Sequence, residues 1–152
     1  ARSLFNLLTF NRTGGWGHVL VMHELKYLAT QNFSGYKEIP LVRYMKKGIT
    51  MKFWKILGLT LEQKTEFDSM VRTDLKKPWW SRGYDFLGIL GYVLPFGRWI
   101  QSPFAMYCSE RVASYLRKFK KWIPNHPSPE ELDALFESNK NDFSVLGYWI
   151  GD

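Results

Sequence analysis

His18-Val19-Leu20-Val21-Met22-His23 is a short, continuous run of apolar and β-branched residues held between two histidines. Such a run, preceded by the loop-forming stretch Asn11 to Gly17 with Gly14, Gly15 and Gly17, reads as a buried strand. His18 therefore stands at a strand start beside a glycine-rich loop, where an imidazole can face a cleft while the strand behind it is core. Far downstream, the only cysteine of the chain occurs in Tyr107-Cys108-Ser109-Glu110. It opens a segment in which Val112, Leu116 and Phe119 recur at helical spacing. A histidine on a strand and a lone cysteine at a helix N-terminus form a candidate base and nucleophile, in the order His first and Cys second.

The sequence around these two points sorts into a sheet followed by helices. Leu4 to Phe10 alternates weakly, as a short strand or helix would. Leu25 to Thr30 predicts a strand after His18–His23, and Asn32-Phe33-Ser34-Gly35 a turn. Tyr36 to Tyr44 predicts a further strand broken by Pro40, and Lys46-Lys47-Gly48 turns into Ile49–Ile56. The implied sheet is small and antiparallel. Thr60-Leu61-Glu62-Gln63 has capping-box spacing ahead of Phe67, Met70, Val71 and Leu75, and Pro78-Trp79-Trp80 closes that helix. The Cys108 helix carries Arg111, Arg117, Lys118 and Lys121 mostly off its apolar face and runs toward Pro124–Pro127. Ser128-Pro129-Glu130-Glu131 supplies a cap, a first-turn proline and a capping-box glutamate for a helix with Leu132, Leu135 and Phe136 inside. The rest of the chain beyond the sheet is expected to be helical. The fold class expected is α+β, with residues 1–152 forming a single domain.

Composition narrows the classes. The chain has 152 residues, 45% of them hydrophobic and 23% charged, which excludes a disordered polymer. Seven Trp and eleven Phe exceed what a small core usually holds, so some are expected to line a cleft or contact surface. A formal charge of +7 favours polyanions such as an anionic wall polymer, anionic lipid or nucleic acid. A specific nucleic-acid partner is not expected, because that reading has only charge behind it and no long Lys/Arg block. One cysteine cannot form an internal disulfide. One Cys and three scattered His lack metal-ligand spacing, so neither a metal nor another cofactor is expected. Tyr84 to Ile100 is the most apolar stretch. It falls short of the roughly 20 residues a spanning helix needs and contains Asp85, Pro95 and Arg98, so a buried helix followed by a loop is expected rather than a transmembrane segment. Ala1-Arg2-Ser3 begins no secretory pattern, which predicts cytoplasmic synthesis.

The chemistry of the pair is specific about its needs. The thiolate is the nucleophile, and the N–H groups of a helix N-terminus both lower a thiol pKa and can stabilise an oxyanion. His18 needs a third group to hold its second ring nitrogen. Thr30, Gln31 and Asn32 on the following strand are available, Thr30 at an offset that suits adjacent antiparallel strands. Glu24 sits too near the hairpin. His23 points to the opposite face from His18, and His126 lies in a proline-bounded, solvated loop. Trp16, beside His18, is a candidate wall of the substrate cleft.

Thr13-Gly14-Gly15-Trp16-Gly17-His18-Val19, Gly83-Tyr84-Asp85-Phe86-Leu87-Gly88, Tyr107-Cys108-Ser109-Glu110 and Ser128-Pro129-Glu130-Glu131-Leu132 together resemble, in order, the motifs of the permuted papain-like amidases. These are the YiiX-type branch of the NlpC-like cysteine hydrolase superfamily, with phage-encoded members. The resemblance covers His18 to Leu132 and implies a circularly permuted papain-like fold. It implies Cys108 as nucleophile and His18 as base, Tyr84 near the oxyanion side, and Glu110 fixing the nucleophile helix. The chain departs from the pattern in two places. It has Thr30-Gln31-Asn32 where many relatives carry Glu on the second strand, and it lacks their initial Gly-Asp strand. The expected activity is thiol-dependent hydrolysis of amide bonds of the peptide or peptidoglycan type through a thioacyl intermediate, without a cofactor. Two alternatives accompany it: a lipid acyl hydrolase or acyltransferase, and a virion or tail component that keeps the fold with a weak or inactive site and contacts other virion proteins. On these readings the protein is virion-associated or delivered after synthesis.

Overall fold

The computed structural model describes residues 6–11, 16–23, 26–32, 35–78 and 108–151. Among the described residues six strands form one antiparallel sheet. They are β1 (Asn6–Asn11), β2 (Trp16–His23), β3 (Tyr27–Asn32), β4 (Gly35–Pro40), β5 (Thr50–Ile56) and β6 (Phe143–Ile150), in the spatial order β4-β3-β2-β1-β5-β6. Among the described residues three helices accompany the sheet: α1 (Leu61–Lys76), α2 (Cys108–Arg117) and α3 (Pro129–Ser138). The class is α+β, and no helix among the described residues is long and apolar enough to cross a membrane. The Tyr84–Ile100 expectation lies outside the described residues.

The unbroken apolar character of His18–His23 has a direct cause: both faces of the sheet are covered. Val19 and Val21 point, with Ala29, Trp54 and Ile56, into a core closed by Phe67 and Val71 of α1, Val112 and Leu116 of α2, and Leu132 and Phe136 of α3. Leu20 and Met22 point the other way, with Leu28 and Met51, into a second layer. That layer is covered by Leu41, Tyr44, Ile49, Phe53 and Trp149. The main core is aromatic at its centre, with Phe136 and Phe143 ring centroids 4.2 Å apart and Trp54 edge-on to Phe136 at 5.6 Å.

Several expectations shift. Leu4–Phe10 resolves as strand over Asn6–Asn11, and Asn11, Trp16 and Gly17 belong to strands rather than to the loop. Pro40 ends β4, and Leu41–Arg43 forms a single 3-10 turn, because proline cannot donate to the ladder. The helix opened by Cys108 stops at Arg117, well before Pro124. The final eight-residue strand, β6, corrects the expectation that all beyond the sheet is helical; it pairs with β5 from Thr50↔Ile150 to Ile56↔Phe143. The capping boxes at Thr60/Gln63 and Ser128/Glu131 are both formed, each with its reciprocal pair of hydrogen bonds.

Candidate active site

The site is assembled where two local irregularities meet. In the β1–β2 ladder Phe10 pairs with His18 and Asn11 with Trp16, so Gly17 is one extra residue placed immediately before His18. Such a bulge twists the strand locally and re-aims the side chain beside it. In the β2–β3 ladder the register runs from His23↔Tyr27 to Val21↔Ala29, although β2 reaches back to Trp16 and β3 on to Asn32. Past Val21 that ladder stops, and the first turn of α2 meets β2 there. The backbone N–H groups of Val19, Ser109 and Cys108 itself lie close enough to the Cys108 sulfur to favour its thiolate. The thiol thus lies near the residue that follows His18, and it is only 3% exposed.

His18 and Thr30 lie on the face of the sheet that carries Leu20 and Leu28, by the two-residue period of strands. His18 Nε2 and Thr30 Oγ1 are 2.8 Å apart. The same Thr30 hydroxyl, fully buried, lies near enough to the phenol of Tyr44 to favour its ionised form. Gln31 points to the other face, where its side-chain oxygen accepts from Arg111 Nη2 at 3.2 Å. The Asn32 and Trp16 side chains, and Tyr84 and Glu24 altogether, lie outside the described residues.

Below the thiol, the first turn of α2 is tied down by the segment that leads to α3. Ser109 Oγ donates to the Pro127 carbonyl at 2.5 Å, and Glu110 Oε1 lies 2.5 Å from His126 Nδ1. His126 is therefore held by a buried carboxylate rather than merely solvated. Arg111, expected off the apolar face, is instead buried. It donates to Asp74 Oδ2 at 3.0 Å and stacks 4.9 Å from the Tyr36 ring centroid. Tyr115 donates to the same Asp74 oxygen at 2.7 Å. This polar cluster joins α1, α2, β3 and β4 one helical turn beyond Cys108.

Burial dominates the electrostatics. It pushes the Cys108 thiol up to about 11; the three N–H groups pull it back only in part, and the Glu110 charge adds to the rise. The helix N-terminus was expected to lower this thiol, and loss of water outweighs it. The same loss of water lowers the His18 imidazole to about 4, although the residue retains some accessible surface. Near neutrality the pair is therefore thiol and neutral imidazole. Tyr44 is raised by burial; the nearby Thr30 hydroxyl opposes that rise and a charge on Cys108 adds to it, so phenol and sulfur lie within electrostatic reach of one another.

Arg111 and Tyr44 are the site-adjacent residues that sequence reasoning missed. Arg111 stands three residues after Cys108 and four before Tyr115, a spacing that places all three along one side of α2. Tyr44 had no local signal, since its contact with Thr30 is made across the fold. Among the described residues no group of three or more His, Cys, Asp or Glu is placed to hold a metal ion. Comparison with family models, with curated proteins and with solved structures finds no match for this chain.

Proposed function

We propose that the protein is a cysteine-dependent hydrolase of amide bonds, of the peptide or peptidoglycan type, on a circularly permuted papain-like fold. One observation carries this reading: neighbouring residues of a single strand engage both partners. The Val19 N–H lies close enough to the Cys108 sulfur to favour its thiolate, and His18, just before it, is bonded through Nε2 to Thr30. In this reading His18 takes the thiol proton as the sulfur attacks the carbonyl carbon, and the N–H groups at the α2 start receive the oxyanion. The imidazolium protonates the departing amine, leaving a thioester on Cys108. Water, deprotonated by His18, cleaves the thioester to release the acid and restore the thiol. Because the resting pair is neutral, proton transfer accompanies attack instead of preceding it. The charge of +7 suits an anionic wall polymer as the carrier of the amide.

A second reading, a non-catalytic binding or structural protein, is favoured by the same burial that keeps the thiol protonated and 3% exposed. Alkylation of Cys108 by iodoacetamide, followed from pH 5 to 9, separates the two. If His18 is the base, the wild-type rate is flat across this range, because neutral imidazole is present throughout and shares the proton. In His18→Ala that plateau disappears and the rate rises roughly tenfold per pH unit with the thiolate fraction. Identical tenfold slopes in both proteins would sink the hydrolase reading and leave the binding protein.

A further inference from the structure

We propose that Arg111 is a positioning residue that holds the Cys108 turn of α2 in register with the His18–Thr30 pair. It does so by gripping Gln31 and Tyr36, the cross-strand pair that adjoins Thr30. The inference deepens the reading of His18 as the base for Cys108 and rests on that reading for its catalytic meaning.

The sheet alone does not tie the base to the nucleophile. The β2–β3 ladder runs only from His23↔Tyr27 to Val21↔Ala29, so Thr30 and Gln31 are laddered to β4, as Thr30↔Lys37 and Gln31↔Tyr36. His18, on β2, reaches Thr30 through its side chain, with Nε2 and Oγ1 2.8 Å apart. Cys108 stands on a third element, α2, which packs on the sheet through Val112, Ala113 and Leu116. Apolar contacts are non-directional and set no fixed register between a helix and the strands beneath it. Ser109 ties α2 to the segment before α3 and not to the sheet. A base and a nucleophile on different elements tolerate little play, since about 1 Å of misplacement can cost roughly a hundredfold in rate.

Arg111 supplies the missing direction. It lies one turn after Cys108, is 5% exposed, and carries a planar fork of donors at fixed angles. Nη2 donates to Gln31 Oε1 at 3.2 Å, Nη1 donates to Asp74 Oδ2 of α1 at 3.0 Å, and the guanidinium carbon lies 4.9 Å from the Tyr36 ring centroid. One side chain thus engages both members of the Gln31↔Tyr36 pair and anchors itself on α1. Gln31 and Tyr36 are both buried, so these contacts are shielded from solvent. A buried ion pair is a poor source of stability beside apolar side chains of the same size. What Arg111 adds is geometry: a defined distance between the turn that carries Cys108 and the strand end that carries Thr30.

The test is the iodoacetamide profile of Cys108, extended to pH 10.5 so that both the His18-dependent plateau and the thiolate limb above it are read. Gln31→Leu removes the acceptor and leaves Arg111 on Asp74, whereas Arg111→Lys keeps the charge and loses the fork. Urea unfolding reports that each variant is folded, and should one fail to fold the other carries the test. Both are expected to lower the plateau roughly tenfold or more while the thiolate limb stays in place. The rise then begins at least about one pH unit lower than in wild type. A packing role alone would move plateau and limb together, because looser packing admits the reagent to thiol and thiolate alike. That result, or an unchanged plateau in either folded variant, overturns the proposal and leaves His18 standing as the base. A wild-type profile that parallels His18→Ala removes the hydrolase reading itself, and the proposal falls with it.

Discussion

Lys52 shows how much a single buried residue can demand of its surroundings. It lies on β5 between Met51 and Phe53, is 3% exposed, and cannot remain charged there without partners. Asp133 of α3 lies 3.2 Å from its ammonium, Glu137 closes the other side, and the Trp54 ring centroid is 4.2 Å away. Asp133 also accepts from Trp54 Nε1 at 2.9 Å. Removing the carboxylate leaves the ammonium with Glu137 alone and strands the buried indole N–H. Asp133→Ala is therefore expected to cost about 2–3 kcal/mol in urea unfolding. The double variant Lys52→Met, Asp133→Leu, which removes both charges, should recover most of that loss. A single variant within 1 kcal/mol of wild type would mean that Glu137 alone suffices to hold the Lys52 charge.

At the scale of elements, helix ends and sheet order have different origins. Ser128, Pro129 and Glu131 sit within four residues, and the helix they start is formed by their own hydrogen bonds at 3.1 and 2.7 Å. That signal is local and was legible in the sequence. Ser128→Ala should therefore lower stability by about 1 kcal/mol, measurable as a shift in denaturation midpoint with unchanged slope. The strands of the first third were legible for the same reason, in apolar runs divided by Gly, Pro and Asn. The last strand was not. Val145, Leu146, Tyr148 and Ile150 are all exposed, so β6 shows no clean alternation, and only its pairing with β5 far upstream makes it a strand. The site divides along the same line. Cys108 at a helix start and His18 near the start of a strand, two residues after Trp16 opens it, could be read locally. The selection of Thr30 over Gln31 was not readable, because it depends on which side chain faces the second layer and which faces Arg111. Tyr44 enters only through that layer.

For the whole molecule, the burial that makes the site neutral also makes stability depend on pH from both sides. His18 has a folded pKa of about 4 against 6.5 when free. As pH falls through that interval the unfolded chain takes up a proton that the folded chain refuses, so stability declines. Cys108 is the mirror case: its folded value of about 11 lies above the free value of 9.0. As pH rises through that interval the unfolded chain releases a proton that the folded chain keeps, and stability again declines. Asp74 acts elsewhere: burial raises it, but the hydrogen bonds from Lys77 and Tyr115 and the Arg111 charge prevail and hold it below 3.8, so its contribution is lost only in stronger acid. Maximum stability is therefore expected between about pH 6.5 and 9, with His18 and Cys108 each contributing at most about 3 kcal/mol to its flank. The buried phenols of Tyr36, Tyr44 and Tyr115, all raised by burial, deepen the alkaline one. Urea unfolding at pH 4.5, 7.5 and 10.5 tests the origin of the flanks through two variants. In His18→Gln the fall from 7.5 to 4.5 should shrink while the alkaline fall remains, and in Cys108→Ala the reverse should hold. Flanks that run parallel in all three proteins would show that water already reaches the thiol and the imidazole, and the neutral resting pair would have to be abandoned with them.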